Sequence, residues 1–241
     1  MSPRSPLRLG IPWYLHPAEG ADAWDQLAER FAGADGLADG FAVVNVHDGP
    51  GDEHDPYYGP ALSRLTAAAP GLLLLGYIDF DYGMRSLEDV LDDAAAWEQR
   101  YGIRGVMLDR FPSGSEPGSS RAVDDALETV ARLREAGVRY VAGNPGTVPA
   151  PELAHILDIT CEFEGTGHDY AALELSGGPG SWHLVHSCTP DELRAAQAIA
   201  LTTGVDHVFF TDVPMPHPWN GFPENYTCCS DAPCLRHSSP P

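Results

Sequence analysis

Val106-Met107-Leu108-Asp109-Arg110 is an apolar run that stops on a carboxylate, and Glu162-Phe163-Glu164 supplies a second acidic cluster further along the chain. In a parallel α/β barrel the strands are covered by helices outside and filled by side chains inside. Their interiors are therefore apolar, and reactive groups gather where the C-terminal strand ends open to solvent. Two carboxyls at such an opening can divide acid–base and nucleophilic work, one protonating a leaving oxygen while the other attacks or activates water. Asp109 and Glu164 are the candidate catalytic pair. Alternation along an extended segment puts Glu162 on the same side as Glu164, so both could face inward.

Other polar and aromatic residues fall at the ends of other apolar runs: Tyr14 and His16, Asn45 and His47, Asp79, Asp81 and Tyr82, Asn144, His186, Asp212 and Trp219. Acids with tyrosine and tryptophan in one cleft suit carbohydrate, because aromatic faces stack on sugar CH surfaces. Tyr14, His16, Asn45, Asp79, Asp81, Tyr82, Arg110, Asn144, Glu162 and Trp219 are the candidate binding residues. Asp79 and Asp81 could tune Asp109 by repulsion, line a subsite or cap the following loop. A metal-dependent hydrolase using His16, His47 and His186 with the acids is the competing chemistry on a barrel. Neither HxH nor HExxH occurs, and each histidine follows a different run, so no metal or cofactor is expected.

Eight apolar runs could position these groups: Leu9 to Trp13, Phe41 to Asn45, Leu72 to Ile78, Gly105 to Leu108, Arg139 to Ala142, Ile156 to Cys161, Trp182 to His186 and His207 to Phe210. Between them lie segments of helical period, such as Leu87, Val90, Leu91, Ala94 and Trp97 on one face. Ser86-Leu87-Glu88-Asp89 resembles a capping box, and Thr189-Pro190-Asp191-Glu192 has the cap, the first-turn proline and the reaching glutamate. Strand–helix alternation over 241 residues predicts a single (β/α)8 TIM barrel over 1–222, with degenerate units near the sixth and seventh strands where Ser176-Gly177-Gly178-Pro179-Gly180 breaks any helix. Neither GxGxxG nor a P-loop follows a strand, which argues against an open nucleotide-binding sheet.

Cys161 and Cys188 lie on apparent strands and read as buried thiols, whereas Cys228, Cys229 and Cys234 crowd a Pro/Ser-rich tail, 223–241, with His237 nearby. With 14 basic and 35 acidic residues, a formal charge of -21, the surface repels phosphate backbones and anionic lipid. Nucleic acid and membrane are not expected partners, while a cationic amino-sugar polymer would be attracted. The start, Met1 to Leu7, has no apolar signal-peptide core, so the chain as written reads as cytoplasmic, or as secreted if a preceding segment is missing.

Several motifs in order carry a resemblance: Ile11-Pro12-Trp13-Tyr14-Leu15-His16-Pro17, Val43-Val44-Asn45, Asp55-Pro56-Tyr57-Tyr58, Leu75-Gly76-Tyr77-Ile78, Tyr82-Gly83-Met84-Arg85, Gly105-Val106-Met107-Leu108-Asp109, Asn144-Pro145-Gly146-Thr147 and Phe163-Glu164. From about Leu9 to Asp212 the chain resembles the spherulation-specific family 4 (spherulin-4-like) proteins. The resemblance implies a (β/α)8 fold and a relation to glycoside hydrolase family 135, whose activity is endo-cleavage of α-1,4-linked N-acetylgalactosamine in galactosaminogalactan. It also implies that Asp109 matches the family's essential aspartate and Glu164 its later glutamate. Fungal members commonly carry Asp-Glu where this chain has Asp109-Arg110, so a permanent cation replaces one acid. If Arg110 faces the pocket it should keep Asp109 ionised as nucleophile or electrostatic stabiliser, leaving Glu164 as proton donor, with Asp79 or Asp81 as the third acid. Alternation would turn Arg110 away from Asp109. The readings to separate are a glycoside hydrolase of an amino-sugar polysaccharide, a non-catalytic carbohydrate-binding barrel and the metal-dependent hydrolase.

Overall fold

The computed structural model describes residues 7–33, 39–115, 119–174 and 177–222. Eight parallel strands close on themselves in chain order: β1 Arg8–Trp13, β2 Gly40–Val44, β3 Leu73–Asp79, β4 Gly105–Asp109, β5 Tyr140–Asn144, β6 Ile159–Thr166, β7 Ser181–His186 and β8 His207–Phe210. Closure is made by β8 on β1, where Arg8 pairs with His207 and Leu9 with Val208. Among the described residues seven α-helices lie between the strands: α1 Ala21–Arg30, α2 Tyr58–Ala68, α3 Leu87–Tyr101, α4 Ser120–Glu135, α5 Pro151–Ala154, α6 Gly167–Ala172 and α7 Pro190–Thr203. This is the (β/α)8 barrel expected from the sequence.

The inner floor is aromatic. Phe41 of β2 meets Trp182 of β7 across the barrel at 4.9 Å and His207 at 5.1 Å, and the Trp182 indole donates to the Gly10 carbonyl at 2.8 Å. A Cβ on Gly10 would sit 2.6 Å from the Phe41 ring, so only glycine lets these rings fill the closed end. Outside, α3 buries Val90, Ala94 and Trp97, the stripe read from its period. Ser86 accepts from the Asp89 N–H as an N-cap, although the reciprocal contact is a side-chain one, Ser86 Oγ to Asp89 Oδ2 at 2.7 Å. Thr189 and Glu192 form the full capping box.

Two elements differ from expectation. β6 runs to Thr166, not to Cys161, so Glu162 and Glu164 lie inside a strand and not beyond its end. The pairing of β6 with β7 also shifts register between Cys161 and Phe163. That bulge removes the simple alternation that would relate Glu162 to Glu164, because an inserted residue turns the following side chains over. The short α6, six residues, matches the degenerate unit anticipated there, but the four-residue α5 is shorter still. Cys161 and Cys188 are buried free thiols. Cys228, Cys229, Cys234 and His237, with the tail 223–241, lie outside the described residues. No helix among the described residues is long and apolar enough to cross a membrane.

Candidate active site

Asp109 ends β4, Asn144 ends β5, and Glu164 lies near the end of β6, so three neighbouring strands bring these side chains to the same opening of the barrel. The register places Asp109 beside Asp79 on one side and beside Asn144 on the other. One atom joins the acids: Asn144 Nδ2 donates to Asp109 Oδ1 at 2.8 Å and to Glu164 Oε2 at 2.5 Å. The Tyr77 hydroxyl donates to the other Asp109 oxygen, Oδ2, at 2.8 Å. Tyr14, whose ring meets Tyr77 edge-on at 5.6 Å, lies close enough that the charges of Asp109 and Glu164 add to burial in pushing its phenol up.

The two carboxyls have different proton affinities. Burial pushes Glu164 up to about 7; the Asn144 hydrogen bond opposes this and the Asp109 charge adds to it. Burial also raises Asp109, against hydrogen bonds from Tyr77, Asn144 and the Arg110 backbone N–H, with the Asp79 charge pushing the same way as burial. Three donors on Asp109 against one on Glu164 favour the charged form of Asp109 more than that of Glu164.

Arg110 does not face Asp109. Its backbone is left-handed, φ 52°, and its guanidinium turns to the β3 loop, where Nε donates to Asp79 Oδ1 at 2.8 Å, a second nitrogen pairs with Asp79 Oδ2, and a third meets Asp81 at 2.7 Å. The condition under which Arg110 would keep Asp109 ionised is not met: the side chain turns away, as alternation suggested, and pairs with Asp79 and Asp81. For Asp79, burial pushes up, but the Arg110 hydrogen bonds, the Asp81 N–H and the Arg110 and Arg85 charges outweigh it, and the carboxyl is held below its usual range. Asp79 is therefore a poor third acid, and Asp81 is held as an ion-pair partner of Arg110. Arg110 also lies 5.7 Å from the centre of the Tyr82 ring, which is 56% exposed. Asp81 and Tyr82 are themselves left-handed, as are Asp48 and Ser187, so every non-glycine residue of positive φ among the described residues follows the C-terminal end of a strand. Such strain collects where surrounding structure must hold a loop in one shape.

Other candidates have protein partners. His16 accepts the Ala18 N–H on Nδ1 at 3.1 Å and contacts Asp55 through Nε2 at 3.0 Å, tying the β1 loop to the β2 loop. Asn45 accepts the Gly49 N–H at 2.9 Å and so shapes its own turn. Trp219 is 8% exposed and packs on His186 and Phe209, while its carbonyl accepts the Tyr14 N–H at 3.1 Å. It is a wall of the opening and no open stacking platform. Glu162 sits at the bulge, half-buried, and burial raises its carboxyl. His47 is exposed and His186 is buried against Trp219, and among the described residues no group of three or more His, Cys, Asp or Glu is placed to hold a metal ion. The metal site built on His16, His47 and His186 is thus not assembled. Tyr77 is the partner that sequence reasoning passed over, although it lies two residues before Asp79 and alternation puts both on one face.

Exposed Tyr57, Tyr82, Met84, Val148 and Met215 are carried by the loops after β2, β3, β5 and β8, around the same end of the barrel as the acids. A cavity of about 530 Å³ between α2 and the end of α3 contains none of the candidate residues.

These features define a (β/α)8 barrel with a partly buried carboxyl pair at its C-terminal opening. Residues 8–232 match the family model of spherulation-specific family 4, and the chain belongs to that family. It is 31% identical over 205 residues to Spherulin-4 of Physarum polycephalum, covering 84% of this chain and 55% of that protein, so it spans about half of that relative's length. The crystal structure of Aspergillus clavatus Sph3 in complex with GalNAc superposes with a TM-score of 0.72 at 21% identity, covering 94% of this chain and 96% of that one.

Proposed function

We propose that the protein is a glycoside hydrolase that cleaves an amino-sugar-containing polysaccharide with retention of configuration, Glu164 serving as acid/base and Asp109 as nucleophile. The observation that carries this is the shared amide. Bonds of 2.8 and 2.5 Å from one nitrogen leave the accepting carboxyl oxygens at most about 5.3 Å apart. Retaining glycosidases use a spacing of roughly 5–5.5 Å and inverting ones about 6.5–9.5 Å, to leave room for water. Glu164, near 7, is protonated in a large fraction of molecules at neutral pH, as a proton donor must be.

In the first step Glu164 gives its proton to the glycosidic oxygen as Asp109 bonds to the anomeric carbon and the leaving sugar departs. In the second, Glu164 takes a proton from water, whose oxygen displaces Asp109. Tyr14, Tyr77 and Asp79 border the reacting pair, and the exposed Tyr82 ring, on the loop after β3 with Arg110 over it, offers a stacking face at the same end of the barrel. The amino-sugar assignment is supported by family membership, by the GalNAc bound to Sph3 and by an acidic chain that favours cationic polymers.

Reducing-end release from a panel of amino-sugar polymers, galactosaminogalactan among them, tests this with wild type, Asp109→Asn and Glu164→Gln. Release by wild type that both variants lose, with the first-formed anomer retained by proton NMR, is expected. Binding without release from any polymer would instead identify a carbohydrate-binding barrel, and an inverted first product would overturn the spacing argument.

A further inference from the structure

We infer that Asn144 is a positioning residue that fixes which oxygen of Glu164 carries the proton and how tightly it is held, an inference that rests on the Asp109–Glu164 reading above. Sequence logic makes Asn144 a sugar ligand, but its amide is already committed. Nδ2 serves both acids, and Oδ1 accepts the Gly146 N–H at 3.0 Å. That last bond fixes the direction of the amide, since a flipped side chain would aim its NH2 at an N–H donor. The backbone reinforces the arrangement: the Asn144 carbonyl accepts from Phe111 N at 2.9 Å, and Glu164 N donates to the Gly146 carbonyl at 3.2 Å. The turn after β5 is thus latched to the loop after β4 and to β6, so the nitrogen stands at a fixed point between the acids.

With Oε2 accepting from Asn144, the proton of neutral Glu164 belongs on Oε1. Asp109 receives donors on both oxygens, Asn144 on Oδ1 and Tyr77 on Oδ2, which favours its charged form. Asn144 therefore stabilises the charged forms of both acids while leaving the one movable proton to Oε1, the Glu164 oxygen it does not touch. Without it, burial and the Asp109 charge act on Glu164 unopposed.

The test reads Glu164 directly and needs no substrate. Protein labelled with side-chain 13C-glutamate is titrated by NMR, the Glu164 signal being the one missing in Glu164→Gln. Wild type should titrate near 7. Asn144→Ala should move that midpoint up by about one to two pH units, the equivalent of one hydrogen bond to a charged acceptor. Asn144→Asp, nearly identical in shape and able to keep the Gly146 contact, should raise it as well, because it exchanges the donor for a third carboxylate; it serves if the alanine variant does not fold. A folded variant whose Glu164 midpoint stays at the wild-type value or falls would overturn the inference. On a cleaved polymer, the alkaline limb of the pH–rate profile should move up with the midpoint, and kcat should fall more than KM rises. A shifted midpoint in a protein that cleaves nothing would uphold the role of Asn144 and sink the hydrolase reading alone.

Discussion

Glu164→Gln should make the protein more stable, and only at neutral to alkaline pH. An isolated glutamate titrates near 4.5, whereas Glu164 in the fold titrates at about 7. Between these values the native state holds a proton that the unfolded chain releases, so stability falls as pH rises through the window and levels off above it. At 1.36 kcal/mol per unit the full effect is about 3 kcal/mol, trimmed toward 2 because the side chain retains some contact with water. Glutamine can still accept from Asn144 and carries no charge, so it escapes the penalty. Urea denaturation of wild type and variant at pH 4 and pH 8.5 is the assay. The curves should nearly coincide at the lower pH, and the variant should gain about 2–3 kcal/mol at the higher, or roughly 4–12 °C in Tm for a domain of this size. A difference between the two proteins that does not change with pH would refute the claim that burial holds Glu164 protonated. The gain would also mark the residue as one kept at a cost to stability, as groups that do chemistry usually are.

Arg110→Met should cost about 1 kcal/mol near pH 7, because the pair with Asp79 is bidentate but partly exposed. Asp79 is held below 3.8, so its contribution is present above that pH and lost as pH falls through its lower native value; the deficit of the variant should vanish in acid, and a deficit unchanged down to pH 2 would be inconsistent with the ion pair. Gly76→Ala should lose about 3 kcal/mol by urea denaturation, since the new Cβ would lie 2.4 Å from the buried Trp97 indole, whose N–H already donates to Tyr77; a loss under about 1 kcal/mol would show that α3 can retreat freely. Tyr82→Ala should weaken oligosaccharide binding up to about tenfold in calorimetry without shifting the Glu164 midpoint, and unchanged affinity would remove Tyr82 from the binding face.

Much of this arrangement is legible in the chain because barrels write their topology locally. Each strand must be apolar within and polar at one end, and each helix must show one buried stripe, so eight runs with capped helices between them suffice to give the fold, and Asp109 and Glu164 stand out as acids near strand ends. Thr189 to Glu192 and the Val90, Ala94, Trp97 stripe are local patterns that fold as written.

Side-chain partnerships are different, since they join residues far apart in sequence through strand register. The chain alone shows a cation next to Asp109 that alternation turns away from it, but not where that cation goes; the left-handed backbone at Arg110 and the neighbouring β3 loop decide that Asp79 and Asp81 receive it. Alternation offers Glu162 and Glu164 equally, and a bulge opposite β7 breaks that symmetry. Asn144 reads as a sugar ligand until β4, β5 and β6 are placed side by side and its amide is found between two acids. Sequence determined the barrel and its acids because periodicity and strand ends are properties of single segments. Tertiary structure alone decided how the two acids are paired and that both are pushed up, because burial and a shared donor exist only once three strands meet.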